Sequence, residues 1–130
     1  MSGVKEAEFW LESAKELLSS EQAESEKYTV IVAQSIHSII RANDEMANEL
    51  LGKSAIRHDD APALFLELIR LNKIPGKFSE LRSSVLYPAV ALKSKADYKG
   101  ISVSKADAER WIKNAEKFLN CAKECLGKSS

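Results

Sequence analysis

The stretch Tyr28–Leu51, YTVIVAQSIHSIIRANDEMANELL, constrains this chain more than any other. At 100° per residue it reads as one long helix. Val32, Ile36, Ile39, Ile40, Met46, Ala47, Leu50 and Leu51 make a broad apolar face. His37, Arg41, Asp44 and Asn48 return to one side at steps of four, three and four, which makes a narrow polar stripe. The first turns, Tyr28 to Ala33, are apolar nearly all round, the mark of a buried helix end. A helix of about 25 residues reaches about 38 Å, so it must run through the middle of a small domain with other helices around it. Asn43 falls inside the apolar face, and a buried amide needs partners. Another helix or a second chain must supply them.

The rest of the chain supplies those helices. Val4–Ser19 repeats Val4, Ala7, Leu11, Ala14 and Leu18 at fours and threes, with Trp10 and Leu17 beside them and Ser2 as a cap. Ser19–Lys27 is polar and makes the turn, with Ser25 or Glu24 near the next start. Gly52 is placed for a left-handed cap at the end of the second helix. A loop, Lys53–His58, leads to Asp59 or Asp60 as the cap of a short third helix. Pro62 lies in its first turn and Leu64, Phe65, Leu68, Ile69 and Leu71 on its buried side. Asn72–Gly76, NKIPG, ends it. A fourth helix runs from near Phe78 through Leu81, Val85, Ala89, Leu92 and Ala96, with a kink expected near Ser84–Pro88. After the loop Asp97–Val103, which holds Gly100, Ser104 and Asp107 form an imperfect capping box. Ala108, Trp111, Ile112, Ala115, Phe118, Leu119, Ala122 and Leu126 give the last helix the cleanest period in the chain, and Gly127–Ser130 fray. No strand pattern or repeat occurs. The expected fold is all-α: an up-and-down four-helix bundle with one additional short helix, in one domain over residues 1–130.

Composition narrows the functional classes. At 130 residues the chain can bury one core and not two. Lys plus Arg equals Asp plus Glu, 19 each, so broad electrostatic capture of nucleic acid is disfavoured, though a local basic patch is compatible with the balance. No apolar run approaches the roughly 20 residues of a membrane span. Acidic residues interrupt MSGVKEAEFW, which is no signal peptide, so the expected location is cytoplasmic. Cys121 and Cys125 lie four apart on the last helix. They read as small packing thiols, since the spacing suits neither a redox pair nor a zinc set.

Several catalytic templates are missing. The five glycines are scattered and form no phosphate loop. The two histidines, His37 and His58, are too far apart in sequence to share a helix face as zinc ligands, and no nucleophile elbow occurs. No cofactor or metal is expected. Three polar clusters remain. In the stripe His37, Arg41, Asp44 and Asn48, the imidazole and carboxylate are a proton-transfer pair and Arg41 suits a phosphate. The same stripe also reads as a hydrated face with an Arg41–Asp44 pair. Arg57-His58-Asp59-Asp60 is either a titratable loop site or a solvated helix cap. Lys93-Ser94-Lys95-Ala96-Asp97-Tyr98-Lys99 either attracts phosphates or simply complements a helix C-terminus.

Three stretches, IHSIIRANDEM followed by LLGKS, RHDDAPALFLELI, and LKSKADYKG, together resemble the HEPN domain (higher eukaryotes and prokaryotes nucleotide-binding) in order and spacing. The resemblance covers nearly the whole chain and is strongest to the small stand-alone bacterial and archaeal members. It implies an α-bundle that forms a symmetric homodimer with a cleft between protomers. Many members are ribonucleases, often toxins, that use an Arg and, a few residues later, a His near the end of the penultimate long helix. Members without that pair accompany a minimal nucleotidyltransferase, as in toxin–antitoxin-type systems, or act as non-catalytic binders. Here the position of the Arg matches Lys93 and that of the His matches Tyr98. A tyrosine, with a pKa of about 10, cannot transfer protons as a histidine does near neutrality.

The resemblance with its pair replaced therefore implies a non-catalytic binder. Its ligand would be a nucleotide or RNA, or a nucleotidyltransferase protein partner, and its expected binding residues are His37, Arg41, Asp44, Arg57, His58, Lys93, Asp97 and Tyr98. The groove they form is expected between the second and fourth helices. The alternatives are a metal-independent ribonuclease using His37 or His58, and a structural helical adaptor. A homodimer is expected on the residues as well, from the all-apolar start of the second helix and from Asn43 within its face.

Overall fold

The computed structural model describes residues 4–21, 24–55, 60–93 and 103–127. Among them the protein is all-helical, with no strand. Its five α-helices are α1 (Val4–Ser19), α2 (Glu26–Leu51), α3 (Ala61–Arg70), α4 (Tyr87–Lys93) and α5 (Lys105–Gly127). Ser2, Arg57, His58, Asp59, Ala96, Asp97, Tyr98, Gly100 and the chain end after Gly127 lie outside the described residues.

α2 is the organising element and packs against α1, α3, α4 and α5. Six of the eight residues predicted for its apolar face are buried, and Leu50 and Leu51 are half-buried. The buried face is wider than predicted, because Ser35, Ser38, Ala42 and Glu45 are also enclosed. The apolar start of α2 is not buried all round: Ile31 and Val32 point into the core, whereas Val30 is 46% exposed. Gly52 caps the helix with φ of 67°, and its N–H closes on the Asn48 carbonyl at 3.0 Å. A residue with no Cβ takes that left-handed conformation at least cost.

α1 runs antiparallel to α2. Lys27 Nζ donates to the Ser20 carbonyl (3.1 Å), Gln34 Nε2 to Ser13 Oγ (2.9 Å) and Ser38 Oγ to the Ala7 carbonyl (2.7 Å). Positions fall along α1 as they rise along α2, so the hairpin keeps one register from its turn to its open end. α1 is also antiparallel to α5, shown by Lys15–Glu116 at 2.8 Å and Glu8–Lys123 at 2.6 Å. Every residue predicted for the apolar period of α5 is buried, apart from half-buried Leu126. Phe118 meets Phe65 of α3 with ring centroids 5.6 Å apart in the middle of the core.

Local signals act as the sequence predicts at three helix ends. Pro62 sits in the first turn of α3. Asn72, with φ of 58°, ends α3 in the left-handed region, and the next N–H, that of Lys73, returns to the Leu68 carbonyl at 2.8 Å. Ser104 and Asp107 form the reciprocal capping box at 3.0 and 3.1 Å, with Asp in the place usually taken by Glu or Gln. Asp60 stands at the N-cap of α3 without a side-chain capping bond. Leu71 is 52% exposed rather than buried, because α3 has already ended there.

The segment predicted as one kinked helix is divided further. A 3₁₀ turn at Gly76–Phe78 is followed by a π turn at Arg82–Leu86 and then by the seven residues of α4. Pro88 explains the wide turn: it has no N–H to donate, and its ring would strike the carbonyl of Ser84 in an ordinary α-turn. Arg82 secures the widened turn to the start of α3. Its Nε donates to the Pro62 carbonyl at 2.8 Å, and its guanidinium lies 4.9 Å from the Tyr87 ring centroid. Leu81, Val85 and Ala89 still reach the core.

Candidate functional site

The polar stripe of α2 lies on the side turned away from the core. His37, Arg41 and Asp44 are half-buried and Asn48 is exposed. Arg41 is engaged by carboxylates. Its Nε lies 2.9 Å from Glu6 of α1, without the alignment of a true hydrogen bond. Its two Nη atoms lie 3.9 Å from Asp44 and 3.7 Å from Glu45. Three carboxylates against one guanidinium leave this end of the stripe net negative. The stripe divides accordingly, with an acidic half around Arg41 and Asp44 and a different environment one turn earlier at His37.

At His37 the α1–α2 register has a chemical consequence. The Trp10 and His37 rings meet edge to face, with centroids 4.4 Å apart and planes at 67°. They form the corner of a cavity of about 430 Å³ that is also lined by Thr29, Val30, Ala33, Gln34 and Lys93. Three elements contribute: Trp10 comes from α1, Lys93 from the last position of α4, and the others from consecutive turns of α2. The walls are largely apolar, with an imidazole at one side and an ammonium at the rim. Among the described residues no carboxylate pairs with Lys93, in contrast to Arg41. The cavity can therefore take a flat or apolar group with an anion directed to Lys93.

Of the eight residues predicted for the site, His37 and Lys93 come together in this cavity, and Arg41 and Asp44 flank it along α2. Arg57, His58, Asp97 and Tyr98 lie outside the described residues. The hollow that holds His37 is lined by α1 and α2, and α4 reaches it through Lys93. Asn43 is fully buried and donates Nδ2–H to the Ala61 carbonyl at 3.1 Å. Its partner is the start of α3, within the same chain.

Sequence reasoning missed Trp10 as a site residue and Glu6 as the companion of Arg41. Trp10 lies off the apolar repeat of α1, and a large aromatic outside a helix's core stripe is a signal for a second packing surface. Glu6 could have been found by pairing α1 against α2 through the short turn, which fixes which charges face each other.

Other chemistry is limited. Cys121 and Cys125 are buried and form no disulfide. The hydrogen bond with Cys125, and burial, push the Cys121 thiol far above the ordinary thiol range, which keeps it protonated and unreactive. Among the described residues no cluster of His, Cys, Asp and Glu is placed to hold a metal ion. No described helix is long and apolar enough to cross a membrane. A second hollow of about 300 Å³ between α1 and α5 is bounded by the Lys15–Glu116 and Glu8–Lys123 ion pairs and by Glu12, so both of its cations are already paired. Compared with models of protein families, with curated proteins and with solved structures, the chain matches none of them.

Proposed function

We propose that this protein is a HEPN-like, non-catalytic binding protein whose ligand is a nucleotide or RNA, or a nucleotidyltransferase partner. The observation that carries the reading is the meeting of His37 and Lys93, two residues singled out in the sequence, in one hollow beside Trp10. An aromatic wall with a cation at its rim suits a base and its phosphate, since bases stack on aromatic side chains. The bundle is of the up-and-down four-helix type, with the π turn and α4 together forming the third long arm. The antiparallel pairing of α1 with both α2 and α5 supports that arrangement. The working form is a homodimer, as the HEPN resemblance implies, although Asn43 is paired within its own chain and lends that no support. The test is calorimetry of the purified chain with nucleotides and with RNA, together with capture of partners from its own lysate. Heat of binding, or recovery of a nucleotidyltransferase, supports the reading; neither ligand nor partner would remove it. Light scattering at micromolar concentration should show a dimer, and a particle of 14.4 kDa would contradict that part.

The same two residues favour a second reading, a metal-independent ribonuclease. His37 would transfer the proton and Lys93 would hold the phosphate. RNA cleavage by the parent that disappears in His37→Ala would support it. Cleavage unchanged in both His37→Ala and His58→Ala, or no cleavage by the parent, would exclude it.

A further inference from the structure

The hollow beside Trp10 has a charge layout that a continuous nucleic-acid strand does not fit. On the side of α4 the rim carries Lys93, a cation with no carboxylate partner among the described residues. In the other direction along α2 the stripe becomes acidic, where Glu6, Asp44 and Glu45 surround Arg41 at 2.9, 3.9 and 3.7 Å. A phosphate backbone running along the stripe would pass from attraction into net repulsion within about two helix turns, or about 11 Å. Phosphate is therefore accepted at one end of the hollow only. Shape gives the same answer. Trp10 and His37 stand at 67° to each other and make a two-walled corner, which accepts one flat ring on one face with its edge against the other. The volume of about 430 Å³ lies near the small end of the range for ligand pockets.

We infer that this corner is a pocket for a single nucleoside 5′-monophosphate, free or at the end of a strand, with its base on Trp10 and His37 and its phosphate on Lys93. The inference rests on the nucleotide-binding reading above and narrows it to one nucleotide and one polarity. Val30 at the open rim, 46% exposed, would cover the outer edge of the base. Gln34, held by its bond to Ser13 Oγ at 2.9 Å, fixes the floor next to the corner.

The test is calorimetry of the 130-residue chain with four probes: AMP, adenosine, inorganic phosphate, and a 5′-phosphorylated oligoadenylate of roughly eight nucleotides. AMP and the oligonucleotide should bind with affinities within about threefold of each other, and each at least about tenfold tighter than adenosine or phosphate alone. The logarithm of the oligonucleotide's binding constant should fall against the logarithm of salt with a slope of about −0.7, the value for one phosphate contact. Lys93→Ala should lower AMP affinity at least about tenfold. Val30→Glu, at an exposed position where folding is not at stake, should do the same by placing a carboxylate at the rim.

Oligonucleotide binding that is much tighter than AMP binding, with a steep salt slope and no response to Lys93→Ala or Val30→Glu, would overturn the pocket and leave the broader RNA-binding reading standing. Equal binding of adenosine and AMP would overturn the assignment of the phosphate to Lys93. Absence of binding by all four probes would overturn the pocket, and recovery of a protein partner in the lysate experiment would then decide whether the broader reading survives.

Discussion

Arg41 separates two accounts of the polar stripe. As an anion-binding group, Arg41→Gln should abolish much of the nucleotide affinity. As a clamp between α1 and α2, it should cost stability and leave binding nearly intact. The geometry favours the clamp, because Glu6, Asp44 and Glu45 already occupy the guanidinium. The Glu6 contact is short, at 2.9 Å, but both side chains are about half exposed and the N–H is not aligned, so it is worth at most about 0.2–1 kcal/mol. The longer contacts to Asp44 and Glu45 follow helical spacing and add about 0.3–0.5 kcal/mol each. Since the three share one cation, they do not add fully, and the expected loss is about 1 kcal/mol. For a chain of this length that lowers Tm by about 4 °C. Thermal unfolding of the parent and of Arg41→Gln should show this difference at about 0.1 M salt. At about 1 M, where screening shortens to about 3 Å, most of it should disappear. AMP affinity should change by less than about threefold, about 0.65 kcal/mol. A tenfold loss of affinity with an unchanged Tm would refute the clamp and return Arg41 to the binding surface.

Two further predictions concern the scaffold. Asn43 is fully buried, and its amide donates to the Ala61 carbonyl, so Asn43→Asp places a carboxylate where a donor is needed. Burial raises the folded pKa of that carboxyl. The penalty is then present above the raised pKa and is relieved as pH falls and the protonated acid donates to Ala61. Urea titrations should show a loss of about 3 kcal/mol or more at neutral pH that shrinks towards pH of about 4; a small, pH-independent loss would contradict the assignment. At the start of α5, the backbone N–H and hydroxyl of Ser104, followed by Arg110, hold the Asp107 carboxyl below its ordinary value of 3.8. A lowered carboxyl pKa contributes stability above the unfolded value and loses it as pH falls through the folded one. The parent should therefore lose stability on acidification below pH 3.8 more steeply than Asp107→Asn, and identical acid profiles would show that the cap carries no charge effect.

The elements readable from the sequence are those fixed by local physics. The period of α5 from Ala108 to Leu126, Gly52 as a left-handed cap, Pro62 in a first turn and the Ser104–Asp107 box each depend on a few neighbouring residues, and each is found in the structure. What could not be read depends on how segments meet. The π turn before Pro88 is a local response to a missing N–H, but the bond from Arg82 back to the Pro62 carbonyl depends on where α3 lies. Val30 is 46% exposed, and the local apolarity of the first turns of α2 does not tell it from its buried neighbours Ile31 and Val32. The stripe itself was legible. That His37 faces Trp10 and that Arg41 faces Glu6 was not, because both follow from the register of the α1–α2 hairpin.

The central claim is that this register, with Lys93 at the end of α4, makes one nucleotide-sized corner at Trp10. The chain has two tryptophans, and Trp111 is buried in the core at 4% exposure, so it serves as an internal reference. Following both indole N–H signals by NMR while AMP is added gives the most direct answer. The account predicts that the Trp10 signal shifts and saturates while that of Trp111 stays in place. A Trp10 signal that remains fixed while AMP binds elsewhere, or while nothing binds, would contradict it.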